Sequence, residues 1–426
     1  MRRVAIATIL CLIAGLLLAA SPMHAEDDPA VKTPTFPATD WPWWRGPNRD
    51  GVAHPDQSPP TTWNAKQNVV WKAPVPGRGH SSPIVVGECV YLTTADEKAQ
   101  VQTVLCYDRE TGELNWKTDV HQGGFQFKNK KASQASNSVA CDGERLFVNF
   151  FSDKQARTTA LDLDGKVLWT TKISDYVPHQ GYGSSPAVYG PLVIVSADNK
   201  QGGAIAGLRR DSGEVVWRHD RPKEPNYSSP VIHHLDGKDQ LIFTGCDLVS
   251  SYAPLTGKKL WEIDGATTEC VTTTPTDGKH IFSSGGYPKN HVAAIIADGS
   301  GKIAWENTTR VYVPSMIVQA GHLYAVTDAG VAVCWDASTG QEKWKGRLGG
   351  TFSSSPVLIG KHIYATNEEG KTFIYTASPH KFELVATNQL GNQVFATPAF
   401  VGSQIFTRVA EKQNGKRQET LYCLGE

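Results

Sequence analysis

The sequence lacks net charge and is poor in methionine. Its 42 lysines and arginines balance 42 aspartates and glutamates, so we expect neither nucleic acid nor an anionic membrane as its main partner. It has only 3 methionines, against 39 glycines, 25 prolines and 12 tryptophans. That composition is typical of tight turns and aromatic strand faces rather than of helices.

Long apolar runs are absent beyond the N-terminus. A basic start at Arg2 and Arg3, an apolar run over 4–20 and small residues up to Ala25 are typical of a secretory signal peptide at 1–25. A membrane anchor is the alternative, although the run is short for a span. We therefore expect a periplasmic or secreted protein that has no transmembrane segment after cleavage.

Motifs for common catalytic centres are missing too. The sequence has no adjacent cysteine pair, no Cys-x-x-Cys-His haem site, no Gly-x-Ser-x-Gly elbow and no His-Glu-x-x-His metal motif. Of its 8 cysteines, Cys106, Cys334 and Cys423 share one repeat position and are expected to fill the core. Cys89 and Cys106 could face each other on neighbouring strands, so a disulfide there stays open.

The sequence contains instead an internal repeat, in which a glycine precedes a tryptophan by four positions. Its six copies follow one another at intervals of 39 to 53 residues: Gly112/Trp116, Gly165/Trp169, Gly213/Trp217, Gly257/Trp261, Gly301/Trp305 and Gly340/Trp344. A four-stranded propeller blade occupies about 40–45 residues. The spacing therefore predicts one blade for each copy.

The repeat has a physical interpretation. In Asp108–Gly112 and Asp336–Gly340, the aspartate can cap backbone amides and the glycine supplies a positive φ, which predicts a tight turn between antiparallel strands. The tryptophan on the outgoing strand can fill the gap to the next blade. Alternation of apolar and polar residues, as in 362–366, also predicts strands.

A second signature, Ser-Ser-Pro or a variant of it, opens each blade, where a strand tolerates proline. Its eight copies begin at Ser81, Ser136, Ser184, Ser228, Thr273, Pro314, Ser354 and Ala396. The seventh blade, from Phe352, lacks its tryptophan. The eighth, from Phe395, has three strands and takes its fourth from 69–72. Seven blades is the alternative count.

These patterns together predict an all-β fold. It is an eight-bladed β-propeller of four-stranded antiparallel blades over 67–426, closed by the N-terminal strand and preceded by a tryptophan-rich arm at 26–66. The residues expected to dock neighbouring blades are Trp71, Trp116, Trp169, Trp217, Trp261, Trp305 and Trp344.

The repeats resemble those of the PQQ-like family, which includes quinoprotein dehydrogenases and BamB-like propellers; the blades are WD40-like in layout. The opening Trp41–Gly46 resembles exported members from planctomycete-type bacteria. The quinoprotein branch implies a quinone on the axis, a calcium ion and a catalytic aspartate, and often two adjacent cysteines. Because the cysteine pair and the long insertions are missing, we expect no cofactor and no metal, with PQQ and calcium as the alternative. No catalytic residue is assigned.

The candidate site lies in the loops that enter the innermost strands, around one mouth of the central channel. The side chains expected there are rings and two cations: His80, Tyr182, Tyr227, Tyr312, Phe352, Phe395, Lys131 and Arg310. Such a mouth suits a small ligand or a peptide strand. The alternative is that the rings only fill the channel.

Three further features favour a structural interpretation. His233 and His234, with Asp236, could bind a metal, but a solvated turn is favoured because adjacent strand residues face opposite ways. The tryptophans at 41, 43 and 44 could form a ligand platform, but packing against the outside of the propeller is favoured. The run 128–131 is expected to be a solvated loop.

Two functions follow from these expectations. The first is an exported, monomeric, non-enzymatic propeller that binds a protein, a peptide or a small ligand as a scaffold or assembly factor of the cell envelope. The alternative is a PQQ- and calcium-dependent dehydrogenase of alcohols or sugars.

Overall fold

The computed structural model describes residues 34–126, 129 and 131–426. The predicted signal peptide and two lysines of the 128–131 run lie outside the described residues. Within the described range every regular element is a β-strand, as predicted. No helix there has the length and hydropathy to cross a bilayer.

Thirty-one strands follow one another in the described part of the chain. Strand β1, Val69–Val75, precedes blade one in the sequence and completes blade eight. Blade one contains β2 Ile84–Val86, β3 Cys89–Asp96, β4 Val101–Asp108 and β5 Leu114–Gln122; blade two β6 Ala140–Cys141, β7 Arg145–Ser152, β8 Gln155–Asp162 and β9 Val167–Asp175; blade three β10 Ala187–Tyr189, β11 Leu192–Ser196, β12 Ala204–Arg209 and β13 Val215–Asp220; blade four β14 Val231–Leu235, β15 Lys238–Gly245, β16 Leu248–Tyr252 and β17 Lys259–Asp264.

The other four blades follow the same pattern. Blade five contains β18 His280–Gly285, β19 His291–Ile296 and β20 Ile303–Asn307; blade six β21 Ile317–Gln319, β22 His322–Val326, β23 Val331–Asp336 and β24 Glu342–Arg347; blade seven β25 Val357–Ile359, β26 His362–Thr366, β27 Lys371–Thr376 and β28 Leu384–Gln389; blade eight β29 Ala399–Val401, β30 Gln404–Gln413 and β31 Lys416–Leu424.

Each blade is an antiparallel meander that begins with its innermost strand. In blade five this position is reduced to a single bridge between Thr276 and Ile281. The prediction of an eight-bladed propeller is confirmed. The predicted closure is confirmed as well, because β1 pairs with β31, with Trp71 opposite Cys423 and Val75 opposite Glu419.

The predicted docking tryptophans join consecutive blades. Trp217, for example, donates its indole N–H to the Pro254 carbonyl of the next blade at 3.0 Å. Its ring covers Gly257, where a Cβ atom would come within 2.5 Å of it. Equivalent indole-to-carbonyl bonds are made by Trp71, Trp116, Trp169, Trp305 and Trp344. Trp261 differs, since its indole N–H donates to the side-chain oxygen of Gln240 in its own blade.

A β-bulge precedes the docking position in every outer strand of the described ring. In blade three, Val216 is the extra residue between Val215 and Trp217, and it is 47% exposed. Such bulges twist an edge strand and interrupt its ladder. They therefore protect the perimeter of the ring from edge-to-edge pairing.

The junction of blades seven and eight is built differently. Ala386 occupies the position of the missing tryptophan. Trp63 of the arm packs there instead, stacked on Tyr364 of blade seven at 6.3 Å and buried in a cluster that includes Phe400 of blade eight. Its backbone N–H donates to Asn388 Oδ1. The arm thus supplies the aromatic ring that blade seven lacks.

The arm does not place its tryptophans at 41, 43 and 44 against the outside of the propeller, so that expectation is wrong. Its residues bond or pair with the inner parts of blades one, two, three, six and seven, at Val85, Cys141, Val188, Met316 and Leu358. Because blades two and three face blades six and seven across the ring, the arm crosses the channel. The innermost strands are short and present unpaired backbone groups there, which the arm satisfies.

Candidate functional site

A cavity of about 530 Å³ lies at the mouth of the channel, with the arm at its base. Loops entering the innermost strands of all eight blades line it, which places it on the ring axis. The structure brings together in this cavity every residue predicted for the site: His80, Lys131, Tyr182, Tyr227, Arg310, Tyr312, Phe352 and Phe395. The volume is within the range of small-molecule sites.

Burial divides the six rings into two groups. Phe352, Tyr182 and Tyr227 are only 1%, 6% and 8% exposed and build the wall. His80, Tyr312 and Phe395 are half-buried and keep surface in the cavity. The filler interpretation therefore describes the first group, while the second can contact a bound molecule.

His80 and Phe395 form one side of the cavity. Their rings stack with centroids 4.3 Å apart and planes inclined by 24°. Burial, together with the positive charges of Arg78, Arg408 and Arg417, holds the pKa of His80 well below its usual 6.5. His80 is therefore neutral at pH 7, and this side of the cavity is a flat, uncharged surface.

Tyr312, before blade six, forms another part of the cavity wall with a set of polar partners. Its hydroxyl donates to Glu269 Oε2 at 2.8 Å, and its backbone N–H donates to Asp328 at 2.8 Å. The Arg310 guanidinium lies 5.1 Å from its ring centroid. Burial raises the pKa of both Tyr312 and Asp328. These contacts fix the ring before any ligand binds.

Loops from distant blades also meet over the mouth. Lys131, before blade two, pairs with Glu368 of blade seven at 3.0 Å. Ser353 donates to the same carboxylate at 2.7 Å. On the other side His179 Nε2 lies 3.2 Å from Glu269. The rim is thus cross-linked by polar contacts rather than left as loose loops.

Residues outside the predicted mouth site close the bottom of the cavity. Trp44 of the arm lines it, and it is one of the three tryptophans that the sequence offered as a possible ligand platform. Around the wall runs a circle of Ser and Thr hydroxyls, in which a backbone N–H of one blade donates to the hydroxyl of the next. Among the described residues seven such bonds of 2.9–3.1 Å are made by Ser82, Ser138, Ser185, Thr273, Ser315, Ser355 and Thr397. The Ser-Ser-Pro repeat was the available signal, but it predicted only strand openings.

The residues present do not fit a calcium-dependent quinone site. Calcium takes six to eight oxygen ligands, several of them carboxylates. The carboxylates lining the cavity, Asp328 and Glu368, are engaged separately by the Tyr312 amide and by Lys131. No cluster of three or more histidine, cysteine or acidic side chains suited to a metal occurs in the described part of the chain.

The histidine pair at 233 and 234 does not converge either. Both residues lie in β14 rather than in a turn. His233 is buried and bonds the Thr274 carbonyl at 2.6 Å, whereas His234 is exposed and pairs with Asp239 at 2.8 Å. The two rings face opposite sides of the strand.

Comparison with known proteins assigns the family. The profile described as "Outer membrane protein assembly factor BamB" matches residues 100–273 and 288–379. The chain belongs to this family. The BamB of Burkholderia pseudomallei is 24% identical over 358 residues, 79% of this chain and 84% of that protein. The BamB of Alkalilimnicola ehrlichii is 25% identical over 218 residues, which span 50% of this chain and 45% of that protein.

Solved structures share the fold of this BamB-family chain. The crystal structure of BamB from Moraxella catarrhalis superposes with a TM-score of 0.58 at 16% identity, covering 83% of this chain and 96% of the other. A europium-containing methanol dehydrogenase superposes with a TM-score of 0.68 at 12% identity, covering 92% and 98%. At such identities the likeness extends to the fold alone, which non-enzymatic and enzymatic propellers share.

Proposed function

We propose that this BamB-family chain is a non-enzymatic binding protein of the cell envelope. It acts as a scaffold or assembly factor that holds a segment of a protein partner, or a small ligand, in the cavity at the channel mouth. The observation that carries the proposal is the convergence of loops from all eight blades on that one cavity, with Trp44 behind it.

The form of the mouth supports binding of a partner. His80, Tyr312 and Phe395 offer half-buried rings, and aromatic side chains in fixed, partly desolvated positions contribute most to recognition. Hydrogen bonds and the stack hold these rings in place, so little ordering entropy is lost on binding. The location in the envelope rests on the predicted signal peptide and on the printed names of the relatives.

A crosslinking experiment tests the partner. A benzophenone amino acid is placed at Thr351, which is exposed and lines the cavity, and at Val216, which is exposed on the perimeter as a matched control. After export and irradiation of cells, we expect one defined envelope protein to be captured from Thr351 and not from Val216. Equal capture from both positions, or none, would overturn binding of a protein partner at the mouth.

A second experiment separates the proposal from the quinoprotein alternative. Purified protein is mixed with PQQ and calcium and assayed for dye reduction with a panel of alcohols and aldoses. We expect no turnover. Turnover with any of these substrates contradicts a non-enzymatic role, whereas failure to bind the quinone contradicts the dehydrogenase.

A further inference from the structure

The deep wall of the cavity is a circle of hydroxyl groups. Six of the residues that continue the Ser-Ser-Pro repeat around the ring line it: Ser82, Ser138, Ser185, Ser229, Ser355 and Thr397. Each of them is between 2% and 7% exposed. The hydroxyls are therefore more than nine-tenths buried and reach solvent only through the cavity.

The hydrogen-bond pattern determines whether these hydroxyls can donate or accept a hydrogen bond in the cavity. The oxygen of each one accepts a backbone N–H of the preceding blade, as Ser185 does from Ser138 at 3.0 Å. The other five accept in the same way. A hydroxyl whose oxygen is already an acceptor still has its O–H to donate. Within the described residues none of the six donates to a protein acceptor, so the circle presents donors to the cavity.

The charged side chains that line the cavity are two cations, Lys131 and Arg310, and two carboxylates, Asp328 and Glu368. The carboxylates of the cavity are already occupied, Asp328 by the Tyr312 amide and Glu368 by Lys131. The guanidinium of Arg310 donates to the Gly286 carbonyl and remains at the rim. A group with several acceptor oxygens and a negative charge would satisfy both the hydroxyls and the arginine.

We infer that the hydroxyl circle binds a carboxylate, and that the ligand carries an aromatic or apolar group that packs against the His80–Phe395 stack. The inference rests on the proposed function, because it names the chemistry that the mouth cavity recognises. A small aryl acid and the C-terminus of a peptide present the same carboxylate. The geometry assigns that group, and the probes below separate its two sources.

Matched probes test the carboxylate by calorimetry. The small pair is 3-phenylpropanoate and 3-phenylpropanamide, and the peptide pair is a tetrapeptide ending in tyrosine, as free acid and as C-terminal amide. We expect at least one acid to bind about tenfold or more tightly than its amide, as is typical of charge-assisted hydrogen bonds. Tight binding of the small acid identifies a free ligand, and tight binding of the peptide alone identifies a chain terminus. Equal affinity for acid and amide overturns the inference but not the proposed function.

Two serine variants supply the internal control. Ser185 and Ser315 make the same bond to the neighbouring blade, but only Ser185 lines the cavity. Ser185→Ala and Ser315→Ala should lower the melting temperature similarly. Only Ser185→Ala should also weaken the binding of the acid probe, by about tenfold. Ser185→Thr, the residue type found naturally at Thr397, should retain the affinity. Equal affinity of both alanine variants overturns the inference.

The two proposals fail in distinguishable ways. If no probe binds while the crosslink from Thr351 persists, the carboxylate assignment is wrong and partner binding stands. If an acid binds selectively while the crosslink is absent, the cavity is a small-molecule site and the scaffold role is wrong.

Discussion

Cys89 differs from the other described thiols in exposure and in acidity. It is half-buried, and a hydrogen bond from Cys106 lowers its pKa to about 6. Burial raises the pKa of Cys141, Cys334 and Cys423 to about 12 each. Cys89 lies opposite Asp108 and Cys106 opposite Tyr91, so the two thiols are diagonal neighbours, and both are free.

Alkylation kinetics test this difference. We expect iodoacetamide to modify the native protein first at Cys89, with a rate that rises through a midpoint near pH 6, because the thiolate is the nucleophile. Cys106→Ala removes the hydrogen bond and should move the midpoint up toward 9, the usual value. Cys89→Ser should abolish the fast phase. Uniform labelling of several cysteines would contradict the assignment.

Single residues of the site were predictable only where the repeat fixes their register. The rings of the mouth were found because they stand three or four residues before the strand-opening position of their blades, as His80 and Phe395 do before Pro83 and Pro398. Trp44 has no such register, since it belongs to the arm and its position depends on tertiary contacts. The serine hydroxyls carried a repeat signal, but their direction toward the channel follows from backbone geometry that the sequence does not display.

At the scale of elements, the contact of a tryptophan with the turn of the next blade can be tested by substituting either the tryptophan or the glycine that it covers. Trp217→Ala should lower the free energy of unfolding by about 3–5 kcal/mol, because a large buried ring is lost. Gly257→Ala should also destabilise, since its φ is +69° and a Cβ would lie 2.5 Å from the Trp217 ring. Urea unfolding measures both. The exposed neighbour Val216 is the control, where alanine should cost no more than about 0.5 kcal/mol. Equal effects at 216 and 217 would refute docking.

The junction of blades seven and eight gives a second test of the same principle. Trp63→Ala should cost about 3 kcal/mol, because the ring fills the gap left by Ala386. We expect faster amide hydrogen exchange in β28 and β29 and unchanged exchange in β12 and β13. Placing the ring on the blade itself, in the double variant Trp63→Ala with Ala386→Trp, should restore part of the stability. Exchange that rises evenly around the ring would contradict a local role.

The elements themselves were predictable because each blade repeats the same local chemistry. The aspartate turn, the glycine with positive φ and the tryptophan directly after its bulge recur in one order, and they determine strand and turn together. The route of the arm was not predictable, because it contains no repeat. It follows from unpaired backbone groups that exist only after the ring has formed.

At the scale of the whole molecule, the ring is held by the pairing of β1 with β31. Two truncations separate this closure from the arm. Removal of residues through Trp63 keeps β1 and should destabilise the junction of blades seven and eight and the channel contacts of the arm. Removal through Trp71 should also open the ring, lower the melting temperature further and expose the amides of β31 to exchange. If the two truncated proteins melt at the same temperature, β1 does not close the ring.

The same pairing sets the timing of folding during synthesis. Val69–Val75 emerges before any blade, yet its partner Lys416–Leu424 belongs to the blade that is made after all the others. Until then one strand edge stays unpaired and prone to association with other chains. A nascent chain of this kind needs protection until its synthesis is complete, so its yield should depend on chaperones more than its final stability suggests.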